Sequence, residues 1–109
     1  AGAAAIDCWE NEPNISAALL ERAAVATPHI AGYSRQGKMR ASIMAADALR
    51  RYLGMAPTGA AESVHRVPET VSLAEAAASY DIAADTALLR ARTAEFEALR
   101  NGYRLREEL

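Results

Sequence analysis

Two short apolar runs, Ala3 to Ile6 and Ala23 to Ala26, constrain this chain more than any other feature. Each gives way at once to turn formers and chemically active side chains. Asp7-Cys8-Trp9-Glu10-Asn11-Glu12-Pro13 follows the first, and Thr27-Pro28-His29-Ile30-Ala31-Gly32-Tyr33-Ser34 the second. Short unbroken apolar runs read as strands buried on both faces, as in parallel sheets. Between them Ile15 to Arg22 carries Ile15, Leu19 and Leu20 on one side, which predicts a crossover helix capped by Asn14 or Ser16. A strand, a helix and a second strand in that order make the fold class α/β. They also place Glu12 and His29 in loops at the carboxyl edge of the sheet, where open α/β sheets bind ligands.

Beyond the second strand the pattern turns helical. Thr27-Pro28 stops the strand, because proline lacks a ladder donor and restricts the residue before it. Ser34 is placed to cap a long helix reaching Leu53, with Gly54 as its stop. Met39, Ile43, Ala46, Leu49 and Leu53 form one apolar stripe along it, while Arg35, Arg40, Arg50 and Arg51 fall off the stripe and read as a solvated face. Residues 56–69 contain Pro57, Gly59, Ser63 and Pro68 without periodicity and read as a linker, with His65 as a surface histidine. Ser72 and Glu75 form a capping box for a helix from Leu73 to Ser79. Asp85 would cap a second helix through Arg90, and Thr93 a third from Ala94 to Asn101, stopped by Gly102. Phe96, Leu99 and Tyr103 would be the apolar face of that last helix.

Composition narrows the class of partner. Among 109 residues, 12 basic side chains face 14 acidic ones, so nothing suggests nucleic acid. No apolar run approaches the roughly 18–20 residues of a membrane span. A lone cysteine cannot form an internal disulfide, so a reducing cytoplasm is expected, and Cys8 reads as a small core residue rather than a nucleophile. Hydrophobic residues make up 51% of the chain but aromatics only 6%, and the alanines that fill the difference bury little area at roughly 25 cal/mol per Å². The chain begins inside a predicted core strand, with neither an initiator methionine nor a basic leader. It therefore reads as a fragment that needs a partner, either more chain or a second copy.

The candidate chemistry is acid–base. Imidazole takes and returns a proton near neutrality. A carboxylate on its other ring nitrogen fixes the tautomer and stabilises the imidazolium. A histidine and a glutamate alone would be weak evidence, since most such pairs in a sequence never meet. The residues around Glu12 and His29 supply the specificity.

Asp7-x-Trp9-Glu10-x-Glu12-Pro13 followed by Thr27-Pro28-His29-Ile30-Ala31-Gly32 resembles the end of the nucleotide-binding domain of D-isomer-specific 2-hydroxyacid dehydrogenases. Tyr33-Ser34 with Gly37-Lys38 narrows the resemblance to a branch whose substrate is a phosphorylated 2-hydroxy acid. The likeness is strong over residues 3–54. It continues in patches at Tyr80-Asp81-Ile82, Asp85-Thr86 and Phe96-Glu97-Ala98-Leu99-Arg100. Gln36 departs from it, standing where that branch commonly has an acidic residue.

The resemblance implies a C-terminal remnant of a Rossmann-like, parallel-sheet NAD-binding domain, followed by a long helix and a mostly helical extension. Residues 1–54 would be the end of the dinucleotide-binding domain with its crossing helix, and 55–109 a linker and a helical extension able to form a homodimer. The Gly-rich dinucleotide loop, the substrate half and a catalytic arginine would precede Ala1. It further implies His29 as the acid–base residue and Glu12 as its partner. Asp7 would contact the nicotinamide portion of NAD, Gly32 would let backbone pass close to the cofactor, and Tyr33 would touch substrate. No metal is implied, and Trp9 and Glu10 read as structural. Two alternatives stand beside this: another 2-hydroxy acid as substrate, or a non-catalytic helical assembly module.

Overall fold

The computed structural model describes residues 2–66 and 68–109. In chain order it contains β1 (Ala5–Ile6), α1 (Ala17–Arg22), β2 (Val25–Ala26), α2 (Arg35–Tyr52), α3 (Leu73–Ser79), α4 (Ile82–Ala91) and α5 (Phe96–Asn101). Short 3₁₀ turns lie at Ala60–Ser63 and Thr93–Glu95. The chain is α/β, with one parallel strand pair and otherwise helices. Ala1 and Val67, which the expected first strand and linker include, lie outside the described residues. Two compact units are formed, Ala1–Ala31 with Ser72–Arg104 and Gly32–Val71 with Leu105–Leu109.

The first unit holds the sheet. Ala5 pairs with Val25 and Ile6 with Ala26. Both strands are shorter than the apolar runs that predict them, as suits alanine, which has little side chain to pack against a neighbouring strand. Ser16, not Asn14, caps α1, its hydroxyl accepting the Leu19 N–H at 3.3 Å, and Leu20 and Ile15 are buried while Leu19 is exposed. Strands this short must satisfy their remaining amides elsewhere. The Ala26 N–H finds the hydroxyl of Thr86 on α4 at 3.1 Å, and that hydroxyl donates in turn to the Ile82 carbonyl. Trp9, Ile15, Leu20, Ala23, Ala26, Leu89 and Phe96 make one buried core, with Ile6 and Leu99 packed against it.

Several expectations in this unit are corrected. The α4 helix begins at Ile82 under Asp81, whose carboxylate accepts the Ala84 N–H at 3.0 Å; Asp85 lies inside the first turn and accepts the Tyr80 hydroxyl at 2.7 Å. An aspartate serves either place, because both sit at the positive end of the helix dipole. Thr93 does not cap the last helix but returns its hydroxyl to the Leu89 carbonyl at 3.0 Å. Phe96, expected on an apolar face open to a partner, is 1% exposed in the core. Cys8, expected inside, is exposed, since it lies in the turn beyond β1 rather than in the strand. The capping box of Ser72 and Glu75 forms as read.

The second unit is built on α2. Ser34 caps it, accepting the Gly37 N–H at 2.9 Å, and Gly54 follows its end with a left-handed φ of 73° that glycine adopts freely. The buried residue of α2 is not on the apolar stripe; it is Asp47, whose carboxylate accepts the backbone N–H groups of Thr58 and Gly59 and the Thr58 hydroxyl. Residues 105–109 lie alongside the start of α2. Arg106 exchanges backbone bonds with Tyr33 and Arg35, Glu107 accepts from Arg35 and Gln36, and Glu108 accepts from Arg40 and Ser34. Arg40 is thus half-buried in an ion pair rather than solvated. Gln36 both donates to Glu107 and accepts the Glu108 N–H, which an acidic residue there could not do.

This tail should respond to acid. Hydrogen bonds from Arg40 and then Ser34 hold the Glu108 carboxyl below its ordinary value, against the opposing effect of burial. A depressed carboxylate contributes its full stability above the unfolded value of about 4.3 and loses it as the pH falls through the folded value. The Arg106 and Glu108 amide resonances should therefore move together as the pH is lowered past the ordinary carboxylate range. An Arg106 amide that stays put while the Glu108 carboxyl titrates would show that the ion pair does not hold the tail.

Candidate active site

Both loops that leave the sheet at its carboxyl edge are tied down by side chains from its own ends. After β1 the chain turns through Asn11, which has a φ of 60° and accepts the Asn14 N–H at 2.7 Å. The turn presents Glu12 back toward β1, where its carboxylate accepts the Trp9 backbone N–H at 2.8 Å. After β2, Thr27 and Pro28 are buried and His29 takes a φ of 58°, uncommon for a residue with a Cβ.

The two predicted dyad residues meet. His29 Nδ1 lies 2.9 Å from one Glu12 oxygen and 3.1 Å from the other. With Nδ1–H donating to the carboxylate, Nε2 is left as the acceptor of the ring, and the side chain is 40% exposed. Burial pushes the Glu12 carboxyl up, but the bonds from His29 and Trp9 and the charges of His29 and Arg100 outweigh it and hold it below its ordinary value. Glu12 is therefore an anion across the neutral range, ready to stabilise an imidazolium.

Asp7 joins the same loop by another route. It accepts the Thr27 hydroxyl at 2.7 Å and the N–H groups of Ile30 and Ala31 at 2.7 and 3.1 Å. Gly32 and Tyr33 belong to the second unit. A Cβ built on Gly32 would meet no atom of the described residues within 4 Å, so their contacts do not require glycine there. Tyr33 is half-buried, with the Lys38 ammonium 3.8 Å over its ring and its carbonyl bonded to Arg106. His65, read as a surface histidine, is exposed and bonded to the Leu109 carbonyl.

Two further residues stand beside the dyad. Trp9, taken as structural, donates its indole N–H to the Thr27 carbonyl at 2.8 Å and its backbone N–H to Glu12. Arg100 on α5 brings positive charge toward Glu12, and its Nε is buried without a hydrogen-bond partner among the described residues. The position of Trp9 between Asp7 and Glu12 was a usable signal; nothing in the sequence links Arg100 to the turn. Among the described residues no group of three or more His, Cys, Asp or Glu side chains could hold a metal ion, and no helix is long and apolar enough to cross a membrane.

An imidazole bonded to a carboxylate at the carboxyl edge of parallel strands is equipped for proton transfer, and several curated proteins to which the chain is similar are dehydrogenases. They are, in particular, erythronate-4-phosphate dehydrogenases, and the chain resembles the C-terminal part of such proteins. It is 38% identical over 109 aligned residues to that of Bacteroides fragilis, an alignment covering 96% of this chain and 31% of the relative. With that of Salinibacter ruber it shares 39% identity, covering 98% of the chain and 33% of the relative. With that of Coxiella burnetii it is 44% identical over 68 residues, 62% of the chain and 19% of the relative. The chain thus spans between about a fifth and a third of the length of these relatives. No protein-family model matches it.

Proposed function

We propose that the chain is the C-terminal part of an NAD-dependent dehydrogenase that oxidises the 2-hydroxyl of 4-phospho-D-erythronate to a ketone, a step of pyridoxal 5'-phosphate (vitamin B6) biosynthesis in the cytoplasm. The observation that carries this reading is the 2.9 Å bond between His29 and Glu12, in a chain similar to dehydrogenases of that substrate. In this reading His29 takes the hydroxyl proton on Nε2, and Glu12 orients the ring and balances the charge it acquires. Tyr33 contacts substrate. Residues 1–54 are the end of a Rossmann-like domain and 55–109 its helical extension.

Asp7 and Gly32 are the residues of this chain that would face the cofactor. They fit that task. A carboxylate offers about four acceptor sites, and Asp7 uses three on its own loop, leaving one for an amide donor. Among the described residues no atom lies within 4 Å of a Cβ built on Gly32. NAD, when bound, would supply the hydride acceptor.

The direct test follows NADH absorbance with 4-phospho-D-erythronate. The full-length protein should turn over and the 109-residue chain should not, because no Gly-x-Gly-x-x-Gly loop occurs in it to hold a pyrophosphate. Turnover by the isolated chain clearly above its own His29→Ala variant would contradict the proposal. So would a full-length protein that oxidises other 2-hydroxy acids but not this one.

A homodimer is proposed as well. Met39 and Leu49 on α2 and Leu53 just past its end are 51%, 58% and 61% exposed, a run of apolar side chains that a second copy would cover across a two-fold axis. In sedimentation at micromolar concentration the chain should run as a dimer, and Leu49→Glu should drive it to monomer. A monomeric unmutated chain would rule this contact out. The alternative of a purely structural module fits less well, since the helices after Ser72 spend Leu89 and Phe96 on the core they share with Trp9, Ile15 and Leu20.

A further inference from the structure

We infer that Asp7 is a positioning residue for His29, given the acid–base role proposed above: its carboxylate clamps the loop on both sides of the histidine and sets the geometry of the His29–Glu12 pair. Thr27 before the ring donates its hydroxyl to Asp7 Oδ1, and Ile30 and Ala31 after it donate their N–H groups to Oδ1 and Oδ2. Pro28 has its φ fixed by its own ring. Between the tethered Thr27 and the tethered Ile30, His29 is thus the residue with backbone freedom left, and it is the one at a φ of 58°. A side chain in the left-handed region needs its surroundings to hold it there. Here the surroundings are one carboxylate taking three donors. Released from it, the backbone would relax to a commoner conformation and swing the Cα–Cβ bond, and with it the ring, away from Glu12.

The other half of the pair is held from the same strand end. Trp9 gives its backbone N–H to Glu12 and its indole N–H to the Thr27 carbonyl, and both Trp9 and Thr27 are buried. Two residues just beyond β1 therefore fix the carboxylate turn and the imidazole loop relative to each other. This task is separate from any contact of Asp7 with a cofactor, because all three donors on the carboxylate belong to the protein.

Thr27→Val separates the two roles, since it deletes a donor to Asp7 while keeping the side chain's shape and leaving Asp7 itself in place. In the full-length protein, kcat should fall toward 10²-fold, the scale of a small misplacement of a catalytic group. Cofactor Kd should be unchanged, and Thr27→Ser, which restores the hydroxyl, should recover most of the rate. With ring nitrogens labelled, the low-field His29 Nδ1–H resonance should broaden or vanish in Thr27→Val and in Asp7→Asn but persist in Thr27→Ser. If Thr27→Val does not fold, Asp7→Asn carries the test alone. An Asp7→Asn protein that binds cofactor weakly but keeps both kcat and the resonance would overturn the inference, as would a Thr27→Val protein normal in both. Full activity in His29→Ala would instead overturn the catalytic reading, whatever the resonance does.

Discussion

Replacing His29 with alanine in the full-length protein should slow the chemical step about 10²- to 10⁴-fold, the weight of a positioned acid–base group. The expectation follows from the ring's place. Its Nδ1 is committed to Glu12 at 2.9 Å while the side chain stays 40% exposed, so Nε2 is available for a proton and the loss falls on proton transfer. Cofactor affinity should change little, since the imidazole bonds to Glu12 while Asp7 holds the loop itself. Glu12→Gln should also be slow, for two reasons. The carboxylate accepts from both His29 and the Trp9 N–H, whereas an amide has one oxygen to share between them. The amide also carries no charge to stabilise the imidazolium. Single-turnover rates beside a cofactor titration decide the matter: weak NAD binding with an intact chemical step would mean that the roles of the loop have been exchanged.

Phe96→Ala should cost about 3–5 kcal/mol, the usual loss when a fully buried aromatic is truncated. Phe96 is 1% exposed and packs in a core whose other members include two alanines, Ala23 and Ala26. Its neighbours Trp9, Leu20 and Leu89 are themselves held in that core, so the cavity can close only in part. Against a total stability of about 5–15 kcal/mol for an ordinary domain, the loss removes a large share of the fold's margin. Urea unfolding monitored at Trp9, which lies in the same cluster, reads it directly. Leu73→Ala provides the contrast: at 91% exposure its stability should change by no more than about 0.5 kcal/mol and its midpoint should barely move. Equal midpoints for the two variants would mean that the Phe96 core does not govern unfolding.

The elements that the sequence specified are those whose signal is local. Ser34 and Gly54 bracket α2, and Ser72 with Glu75 opens α3, because a cap satisfies amides three residues away and needs no distant partner. The βαβ order was legible from two apolar runs and the helix between them, and that order alone brought Glu12 and His29 to one edge of the sheet. Taking Asp85 as the cap placed the start of α4 a few residues late, because the true partner of Asp85, the Tyr80 hydroxyl, is not visible in the sequence.

Burial was decided by the tertiary structure. Phe96, Leu73 and Leu49 are all apolar residues on helices, yet one is core and two face outward, because periodicity gives a helix a face without saying what covers it. Long-range polar bonds were equally hidden: Thr86 on the Ala26 amide, Asp47 on the Thr58 loop, Glu108 at the start of α2. So was the clamp of Asp7 on the histidine loop, whose donors stand 20 to 24 residues along the chain. The sequence determined which side chains could do acid–base chemistry and on which edge they would lie. Only the folded chain, by converging three donors on one carboxylate and holding His29 at a positive φ, decided how the ring meets Glu12.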